Sequence, residues 1–437
     1  MTGTSLAAAL VERGMEPAEV PSKVSLFDVV LGAFRDFTGD QPRQAWWVPG
    51  RLEVFGKHTD YAGGHTLVAA VPRGIAVTAR PRADGTIRVM DARRGDRMTL
   101  GPLDEARYRG WRHYVEVVAR RLATNFPGAH LGADIVFAGD LPRASGMSSS
   151  SALVVAMSAA LVQVAGIESR PEWQAHIRSP IDTAGYFACI ENGMAFGTLL
   201  GDAGVGTHGG SEDHAAILAG RPGELSAFAF VPMRHLADVR VPDDWRFVLA
   251  PSVVRSSKTG AEQDAYNRLA RGAQALLELW NADGRRASSI ASAIASDPAA
   301  ANLLRDRVRA SAIGGWSAEA LEKRLDHFIR EDARAPQALD AFRAVDAARL
   351  GELAAGSQAD AEELLGNQVP ETSELARSAR AHGAFASCSF GAGFGGSVWA
   401  LVARDEAASF AARWSPSAFV AAPGPPLTAL PIDLSRS

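Results

Sequence analysis

The chain has 437 residues, 47% hydrophobic and 22% charged, so it is long enough for two domains with a sizeable core. Its formal net charge is −4 and it has no long block of like charges, which argues against nucleic acid or an anionic membrane as the main partner. Two cysteines, Cys189 and Cys388, are too few for a disulfide framework and lack metal-site spacing. With no signal peptide or long apolar run evident, we expect a cytoplasmic protein.

Strands and helices are mixed in the first half of the chain. Apolar runs bounded by Gly, Pro, Asp and charged residues predict strands at residues 52–55, 67–71, 75–79, 87–90 and 133–138. Helical spacing of apolar residues predicts helices at residues 111–126, 152–164 and 181–191. Pro232, Pro242 and the pair Asp243-Asp244 are typical of a connection between elements. We therefore expect a first domain of mixed α/β structure over residues 1–235.

The second half is predicted to be mainly helical. After a strand at residues 247–250, amphipathic stretches predict helices at residues 261–281, 300–310 and 317–331. Two further strands are predicted at residues 384–389 and 398–403, on either side of a glycine-rich loop. The expected fold class is α+β, with a helix-rich second domain over residues 236–437 that carries a small antiparallel sheet.

A dense group of polar residues lies between two predicted strands, from Pro49 to Gly64. Its members are Arg51, Glu53, Lys57, His58, Asp60 and Tyr61. A structural turn needs glycine and at most one aspartate, but not this density of donors and acceptors. A pocket for a hydroxyl-rich molecule needs it, because carboxylates and imidazoles exchange hydrogen bonds with sugar hydroxyls. A solvated charged loop is the alternative interpretation.

Four consecutive serines, Ser148 to Ser151, follow Gly146 and Met147 and lead into an apolar helix. The N-terminus of a helix presents unpaired backbone N–H groups and the positive end of the helix dipole, and both suit a phosphate. Small residues let a phosphate approach the backbone, and a serine hydroxyl can also reach a magnesium ion. The alternative is that the serines only cap the helix.

A glycine-rich segment, Gly391-Ala392-Gly393-Phe394-Gly395-Gly396, lies near the end of the printed sequence. Its glycines allow positive φ angles and a close approach of backbone to a ligand, but they are equally typical of a tight turn. The chain contains neither a Walker-type phosphate loop nor a G-x-G-x-x-G that opens a βαβ unit. The usual nucleotide-binding folds are therefore not supported.

Taken together, these three segments resemble the motifs of the GHMP small-molecule kinases, in particular their galactokinase branch. The motif P-G-R-V-N-L-I-G-E-H-T-D-Y-N-G-G corresponds to residues 49–64, G-L-S-S-S-A to residues 146–151 and G-G-G-F-G-G to residues 391–396. Ser151 and Ala392 are small departures from the last two motifs. The resemblance covers nearly the whole chain and implies a two-domain kinase fold that uses ATP and Mg²⁺.

The resemblance also implies residues for the nucleotide and the metal. The nucleotide is expected to be cradled by Gly146, Met147, Ser148, Ser149, Ser150 and Ser151. Ser150 stands at the position that helps to hold magnesium, and Glu191 matches the acidic partner of that metal. Trp111 lies in a stretch similar to the family's W-x-N-Y-V segment and is expected near the adenine, although an amphipathic helix also uses Trp111 and Tyr114 as core residues.

Galactokinases have an aspartate near the phosphorylated hydroxyl, in a G-I-M-D-Q context whose best match here is residues 210–214. This resemblance implies Asp213 as general base or positioner of the hydroxyl, with Arg51 neutralising charge on the transferring phosphoryl group. Asp202 and Glu212 are rival candidates, because Asp213 lies farther from Glu191 than is usual in the family. An insertion over residues 197–210 would account for the spacing. A surface turn or a helix cap is the structural alternative for Asp213.

The residues expected to bind the substrate are compatible with two classes of sugar. His58 and Asp60 match galactose-binding positions, Tyr266 matches a sugar-contacting tyrosine, and Gly210, the first residue of the 210–214 stretch, is also expected to bind the substrate. However, Lys57 replaces a glutamate that reaches the hydroxyl on carbon six, and Glu53 replaces an asparagine. Lys57 therefore pairs either with a sugar carboxylate, as in a uronic acid, or with Glu53, which leaves a neutral sugar acceptable.

The sequence thus predicts an ATP-dependent sugar kinase, with galactokinase as the favoured activity and the anomeric hydroxyl as acceptor. A uronic-acid kinase is the alternative among enzymes. A non-catalytic regulator that binds galactose and ATP is the alternative from another class. The expected partners are a small sugar and ATP, without nucleic acid or membrane, and the sequence leaves the oligomeric state undetermined.

Overall fold

The protein is described by a computed structural model over residues 5–101, 108–142, 145–254, 261–282, 284–310 and 314–431. The helices are α1 (Leu6–Glu12), α2 (Val20–Thr38), α3 (Trp111–Asn125), α4 (Ser149–Val164), α5 (Pro171–His176), α6 (Pro180–Asn192), α7 (Glu212–Ala219), α8 (Ala261–Asn281), α9 (Ile290–Ala295), α10 (Ala300–Ala310), α11 (Ala318–Arg343), α12 (Ala347–Asp360), α13 (Pro370–Ala381) and α14 (Ala407–Trp414). Single helical turns lie at Asp60–Ala62, Ile167–Ser169 and Ala361–Leu365.

The strands are β1 (Gln44–Phe55), β2 (His65–Pro81), β3 (Ile87–Asp91), β4 (Asp96–Leu100), β5 (Ala133–Gly139), β6 (Glu224–Ala229), β7 (Arg234–Arg240), β8 (Trp245–Pro251), β9 (Ala386–Phe390), β10 (Ser397–Ala403), β11 (Phe419–Ala421) and β12 (Thr428–Leu430). They form an eight-stranded sheet and a four-stranded sheet. The four-stranded sheet is antiparallel throughout, in the order β11-β8-β10-β9. The predicted α+β fold with a small antiparallel sheet is confirmed.

The larger sheet is built around β1 and β2, in the order β12-β1-β2-β5-β3-β4, and β6 extends it beside β2. Its pairs are antiparallel except for β3 and β5. β2 is one strand of 17 residues where the sequence predicts two. Because β1 pairs with both halves of β2, cross-strand hydrogen bonding continues past the break expected at Pro72 and Gly74.

The connection predicted over residues 232–245 is largely a strand. β7 pairs with β6 and extends the larger sheet across the domain boundary expected at residue 235. The chain passes to the smaller sheet only at β8, after Pro242 and the two aspartates. The apolar residues of β7 are too few and too exposed to give the alternation that marks a half-buried strand.

A shared hydrophobic core joins the two sheets. Leu52 and Phe55 of β1 pack with Phe247 of β8 and Trp399 of β10. The rings of Phe55 and Trp399 lie 6.0 Å apart in an edge-to-face arrangement. Burial of such side chains stabilises the contact by about 1.5–3 kcal/mol for each large residue. The two halves of the chain are therefore packed together, which brings loops from both sheets to one place.

Helix α4 is buried on nearly all sides, from Ser151 to Val162. Its sequence is apolar around the whole circumference, as expected for a helix enclosed by a core. Ser149, Ser150 and Ser151, the first residues of this helix, are consequently fixed at the edge of that core. Within the described residues, no helix combines the length and the apolar character that crossing a bilayer requires.

Candidate active site

The three motif segments meet around one cavity of about 250 Å³. We call residues 56–65 the polar loop, residues 145–151 the serine loop and residues 391–396 the glycine loop. The polar loop connects β1 to β2, the serine loop leads into α4, and the glycine loop connects β9 to β10. Segments far apart in the sequence thus line a common site, together with residues of α6, α7 and α8.

The serine loop leaves the N-terminus of α4 without a side-chain cap. Ser148 occupies the capping position with φ 57°, and its side chain makes no capping hydrogen bond. Its hydroxyl is buried and has no hydrogen-bond partner among the described residues. The capping alternative therefore does not hold for Ser148. Unpaired donors at a helix N-terminus beside a cavity are a favourable place for a phosphate.

The glycine loop supports the serine loop through close backbone contact. A Cβ atom on Gly391 would lie 2.7 Å from the carbonyl oxygen of Gly146, so a side chain does not fit there. The hydroxyl of Ser397 donates to the carbonyl oxygen of Ser145 at 2.5 Å. Gly391 and Ala392 also line the cavity. The glycines therefore allow two loops from different sheets to touch.

Arg51 lies at the centre of a buried cluster of carboxylates. Its Nε lies 2.6 Å from Oδ1 of Asp213, and its Nη2 lies 2.9 Å from Oε1 of Glu212 and 3.6 Å from Oε2 of Glu53. Its Nη1 donates to the carbonyl oxygen of Gly146 at 2.8 Å. Burial alone lowers the pKa of Arg51, but the three carboxylates raise it above its usual value. The guanidinium is therefore charged and fixed beside the serine loop.

Asp213 connects this cluster to the serine loop. It lies in the first turn of α7, and its Oδ2 accepts a hydrogen bond from the hydroxyl of Ser151 at 3.0 Å. Its other carboxylate oxygen faces Arg51. Asp213, Arg51 and the N-terminus of α4 consequently have fixed relative positions. This arrangement can orient a hydroxyl group against a phosphate.

Ser150 and Glu191 line the same cavity. Glu191 lies near the end of α6, and its Oε2 is 3.4 Å from Nε2 of His214. Hydroxyl and carboxylate oxygens are ligands that magnesium accepts, usually together with phosphate oxygens and water. The donor set therefore fits a magnesium ion held between the serine loop and α6.

His58 forms part of the cavity wall as a neutral imidazole. Burial, together with the nearby charge of Arg324, lowers the pKa of His58 to about 3. Its Nε2 lies 3.2 Å from the carbonyl oxygen of Ala392 and 3.3 Å from Nδ2 of Asn367, so it can donate to the first or accept from the second. Its Nδ1 lies 2.8 Å from the hydroxyl of Tyr61. Both ring nitrogens thus have protein partners, and the ring lies 5.6 Å from that of Tyr266.

Asp60 is buried beneath Gly210 at the same wall. Its Oδ1 accepts the backbone N–H of Tyr61 at 2.8 Å, and its Oδ2 accepts that of Glu212 at 3.0 Å. The carboxylate therefore holds the polar loop against the N-terminus of α7. A Cβ atom on Gly210 would lie 2.0 Å from Oδ2 of Asp60, which explains why a glycine stands there.

Replacement of Gly210 by alanine is expected to displace Asp60 and to destabilise the protein by about 1–3 kcal/mol, as overpacking of a filled site does. Thermal unfolding of the purified variant measures this loss. Gly32→Ala is the matched control, because a Cβ there has no atom within 4 Å and alanine favours the helix that contains it. Equal unfolding temperatures for the two variants would contradict the predicted contact.

Models of known protein families match three parts of the chain. The galactokinase galactose-binding signature matches residues 32–81, the GHMP kinase N-terminal domain matches residues 113–188 and the GHMP kinase C-terminal domain matches residues 338–421. The three matches follow the order of the motif segments. The matches confirm the resemblance of the chain to the GHMP kinases and to their galactokinase branch.

Individual proteins that are similar to this chain are galactokinases. The galactokinase of Chloroflexus aurantiacus is 29% identical over 394 residues, which cover 88% of this chain and 90% of that protein. The galactokinase of Actinobacillus pleuropneumoniae serotype 3 is 26% identical, over 85% and 88% of the two chains. The structure of Lactococcus lactis galactokinase complexed with galactose has a TM-score of 0.73 at 23% identity, over 92% of this chain and 99% of that one, and supports the fold.

Lys57 was expected to bind the sugar, but the structure places its side chain elsewhere. Its side chain is fully buried and does not line the cavity. Its Nζ donates to Oγ of Ser357 at 3.0 Å and to Sγ of Cys388 at 3.1 Å, both in the second half of the chain. The ammonium therefore neither faces a substrate nor forms a close ion pair with Glu53.

Two residues expected at the nucleotide do not line the cavity. The ring of Trp111 packs edge to face on Phe137 at 5.4 Å, in the core of the larger sheet. Tyr114, one helical turn later, lines the cavity instead. The side chain of Met147 is buried in the core between the sheets, and only its carbonyl oxygen contributes, by accepting the N–H of Arg51 at 3.3 Å. Apolar packing takes both side chains away from the site.

Their positions distinguish Asp202, Glu212 and Asp213 as candidates for the catalytic acidic residue. Asp202 lies 3.3 Å from Nε of Arg120 and 3.4 Å from Nη1 of Arg121, away from Arg51. Glu212 contacts Arg51, but its carboxylate is directed at Glu53 and burial raises its pKa well above the usual value. Asp213 combines a contact with Arg51 and a contact with the serine loop. It is therefore the acidic residue best placed for chemistry.

The segment 197–210 closes the cavity in a way that the sequence did not predict. Asn267 of α8 accepts the backbone N–H of His208 at 2.8 Å and donates to the carbonyl oxygen of Gly206 at 3.0 Å. These bonds bring Thr207 and the following glycines to the wall of the site. No local pattern signals this contact, because it depends on a single asparagine one residue after Tyr266.

Proposed function

We propose that this protein is a galactokinase, which transfers the γ-phosphoryl group of ATP to the anomeric hydroxyl of galactose. The observation that carries the proposal is the contact of Asp213 with both Arg51 and Ser151 at the N-terminus of a cavity-lining helix. A hydroxyl acceptor and a phosphate need such neighbouring sites. The galactose-binding signature over residues 32–81 supports the choice of sugar.

In the proposed reaction, the uncapped N-terminus of α4 binds phosphate oxygens of ATP through backbone N–H groups. Asp213 accepts a hydrogen bond, and then the proton, from the sugar hydroxyl. Arg51 stabilises the negative charge that develops on the transferring phosphoryl group. Most of the rate should come from this positioning and charge stabilisation, because phosphoryl transfer leaves little covalent work for the protein.

We assign the magnesium ion to Ser150 and Glu191. When bound, magnesium neutralises phosphate charge and helps to orient the γ-phosphate. The chain's contribution is to place one hydroxyl and one carboxylate in the wall of the same cavity. Tyr114, which lines the same cavity, is the aromatic side chain available to contact the nucleotide base.

The charge of the cavity favours a neutral sugar over a uronic acid. Its wall has one guanidinium and five carboxyl groups, from Arg51, Glu53, Asp60, Glu191, Glu212 and Asp213, and burial raises the pKa of two of these carboxyls, Asp60 and Glu212. A sugar carboxylate would meet repulsion there, because Lys57 points away from the cavity. The ammonium of Lys57, which was the reason to consider a uronic acid, therefore does not line this cavity.

The test is ADP release with ATP and magnesium across galactose, glucose, arabinose, N-acetylgalactosamine and galacturonate. We expect turnover with galactose and none with galacturonate. Preference for galacturonate would overturn the assignment of a neutral substrate. No turnover with any sugar, combined with thermal stabilisation by galactose plus nucleotide, would identify a non-catalytic sugar and ATP sensor instead.

The pH dependence of this reaction should report Asp60. Burial raises the pKa of Asp60 to about 6, with backbone hydrogen bonds from Glu212 and Tyr61 opposing the shift. Only the ionised carboxylate accepts hydrogen bonds on both oxygens, so kcat/KM for galactose should fall about tenfold for each pH unit below 6.

The same carboxyl group affects stability. Because the folded state holds the proton of Asp60 more tightly than the unfolded state does, Asp60 makes folding less favourable as pH rises from about 4 to 6.

A pH profile of kcat/KM measures this effect. The residual activity of Asp60→Asn serves as the control, since it should lack the acidic limb near pH 6. A wild-type profile that is flat between pH 5 and 7 would contradict the assignment.

A further inference from the structure

Helix α11 buries charged side chains on the face that packs against the polar loop. Arg324 is 3% exposed, and His327 and Glu331 are fully buried. They share this face with Leu321 and Phe328, which belong to a hydrophobic core. Charged residues are rarely buried to this extent without partners. Arg324 and Glu331 have partners in the polar loop, whereas Nδ1 of His327 accepts from Nη1 of Arg324 at 3.1 Å.

Glu331 binds the start of the polar loop. Its Oε1 accepts the backbone N–H of Gly56 at 3.0 Å and that of Lys57 at 3.3 Å. It also accepts a hydrogen bond from Oγ of Ser357 at 2.9 Å, while its Oε2 lies 3.0 Å from Nη1 of Arg334. Every polar atom of this buried carboxylate is therefore engaged.

Two further residues of α11 hold the rest of the loop. Nη2 of Arg324 donates to the carbonyl oxygen of His58 at 2.7 Å and to the hydroxyl of Tyr61 at 3.1 Å. Oδ1 of Asp332 accepts the backbone N–H of His65 at 2.6 Å. The loop that contributes His58 and Asp60 to the cavity is consequently anchored at its start, middle and end by one helix from the other half of the chain.

Lys57 completes this arrangement from the side of the loop. Its ammonium reaches Ser357 of α12 and Cys388 of β9. Burial raises the pKa of Cys388, so its thiol is neutral at physiological pH. The charge that balances Lys57 is therefore the carboxylate of Glu331, whose pKa is lowered, against the effect of burial, by Lys57 and Arg334. Lys57 and Glu331 are bridged by the hydroxyl of Ser357.

We propose that Lys57 and Glu331 form a buried latch between the two halves of the chain that positions the polar loop and thereby sets the affinity for the sugar. Lys57 is a positioning residue in this proposal, because it does not touch the cavity itself. Removing Glu331 leaves the buried ammonium of Lys57 without its countercharge, and removing Lys57 leaves Glu331 with Arg334 alone, so either change should loosen the loop. The kinetic part of this inference rests on the proposed galactokinase function.

The kinetic test compares Lys57→Met with Lys23→Met. We expect the KM for galactose to rise by about ten- to a hundredfold in Lys57→Met, because a displacement of about 1 Å in a substrate-positioning group has effects of that size. The KM for ATP should change by less than about twofold, since the serine loop is held separately. Lys23 is the matched control: it is also buried, with Nζ 2.5 Å from Oδ2 of Asp140, but it packs on the opposite side of the larger sheet, away from the cavity.

A second measurement does not depend on activity. Amide hydrogen exchange of the ligand-free protein should be faster at Gly56 and Lys57 in Lys57→Met and in Glu331→Gln, but unchanged in Lys23→Met. The double variant Lys57→Met/Glu331→Gln should lose less protection than the sum of the single variants, because it removes both charges together. This comparison of exchange rates tests whether the latch exists even if one of the single variants folds poorly.

Two results would overturn the latch. One is unchanged exchange at Gly56 in both single variants. The other is an equal rise in the KM for galactose and for ATP, since a merely structural role affects both substrates. If the wild-type enzyme phosphorylates no sugar, the proposed function fails, while the exchange measurements still decide whether the latch exists.

Discussion

Asp213→Asn is expected to lower kcat for galactose phosphorylation by about 10²- to 10⁴-fold, the range usual for loss of a positioned general base. Asparagine has the same shape, so it can keep a contact with Ser151, whose hydroxyl lies 3.0 Å from Oδ2. It cannot accept a proton from the sugar, and it removes a negative charge 2.6 Å from Nε of Arg51. A coupled assay of ADP release at saturating ATP and galactose measures the effect.

The matched control for this variant is Asp202→Asn. Asp202 is the rival acidic residue, and its contacts with Arg120 and Arg121 leave it outside the cavity. We expect kcat in that variant to stay within about threefold of the wild type, as for a partly exposed ion pair remote from the chemistry. If Asp202→Asn lost activity while Asp213→Asn kept it, the assignment of the base would be wrong.

Arg51→Met is expected to have the other large effect, on stability as well as on catalysis. The substitution leaves the buried carboxylates of Glu53, Glu212 and Asp213 without their shared countercharge. Breaking a buried ion pair from one side costs about 3–5 kcal/mol. Loss of a donor that stabilises transition-state charge lowers kcat by about 10²- to 10³-fold. Denaturant unfolding and the ADP assay measure the two effects separately.

The double variant Arg51→Met/Glu212→Gln distinguishes these contributions. Removing one of the opposed carboxylates should restore part of the lost stability, because less uncompensated charge is left buried. It should not restore kcat, since the guanidinium is still missing. Recovery of activity in the double variant would contradict a direct role of Arg51 in phosphoryl transfer.

The sequence predicted the bounds of some helices and only the start of others. The helix expected at residues 261–281 and the one at residues 300–310 have those bounds in the structure, because each is strongly amphipathic over its whole length. The helix expected at residues 317–331 continues to Arg343 and contains Pro336. Tertiary packing against α12 and the larger sheet overrides the interruption that proline predicts.

The site itself could be predicted where the chemistry is local and not where it depends on distant partners. Serines before an apolar helix predict an anion site from local physics alone. The direction of Lys57 could not be predicted, because Ser357 and Cys388 lie 300 and 331 positions later in the chain. One available signal was overlooked: Arg324 and Glu331 are seven positions apart, which places both on the apolar face of a predicted helix.

The last strand of the described chain, β12, has a consequence for how the protein is made. Its three residues pair with Ala45, Trp46 and Trp47 at the edge of β1. During synthesis this edge stays open while the nearly 400 intervening residues are translated, so an apolar strand is available to pair with other nascent chains. Cleavage between β11 and β12 should therefore promote aggregation of newly made protein more than it reduces the stability of protein already folded.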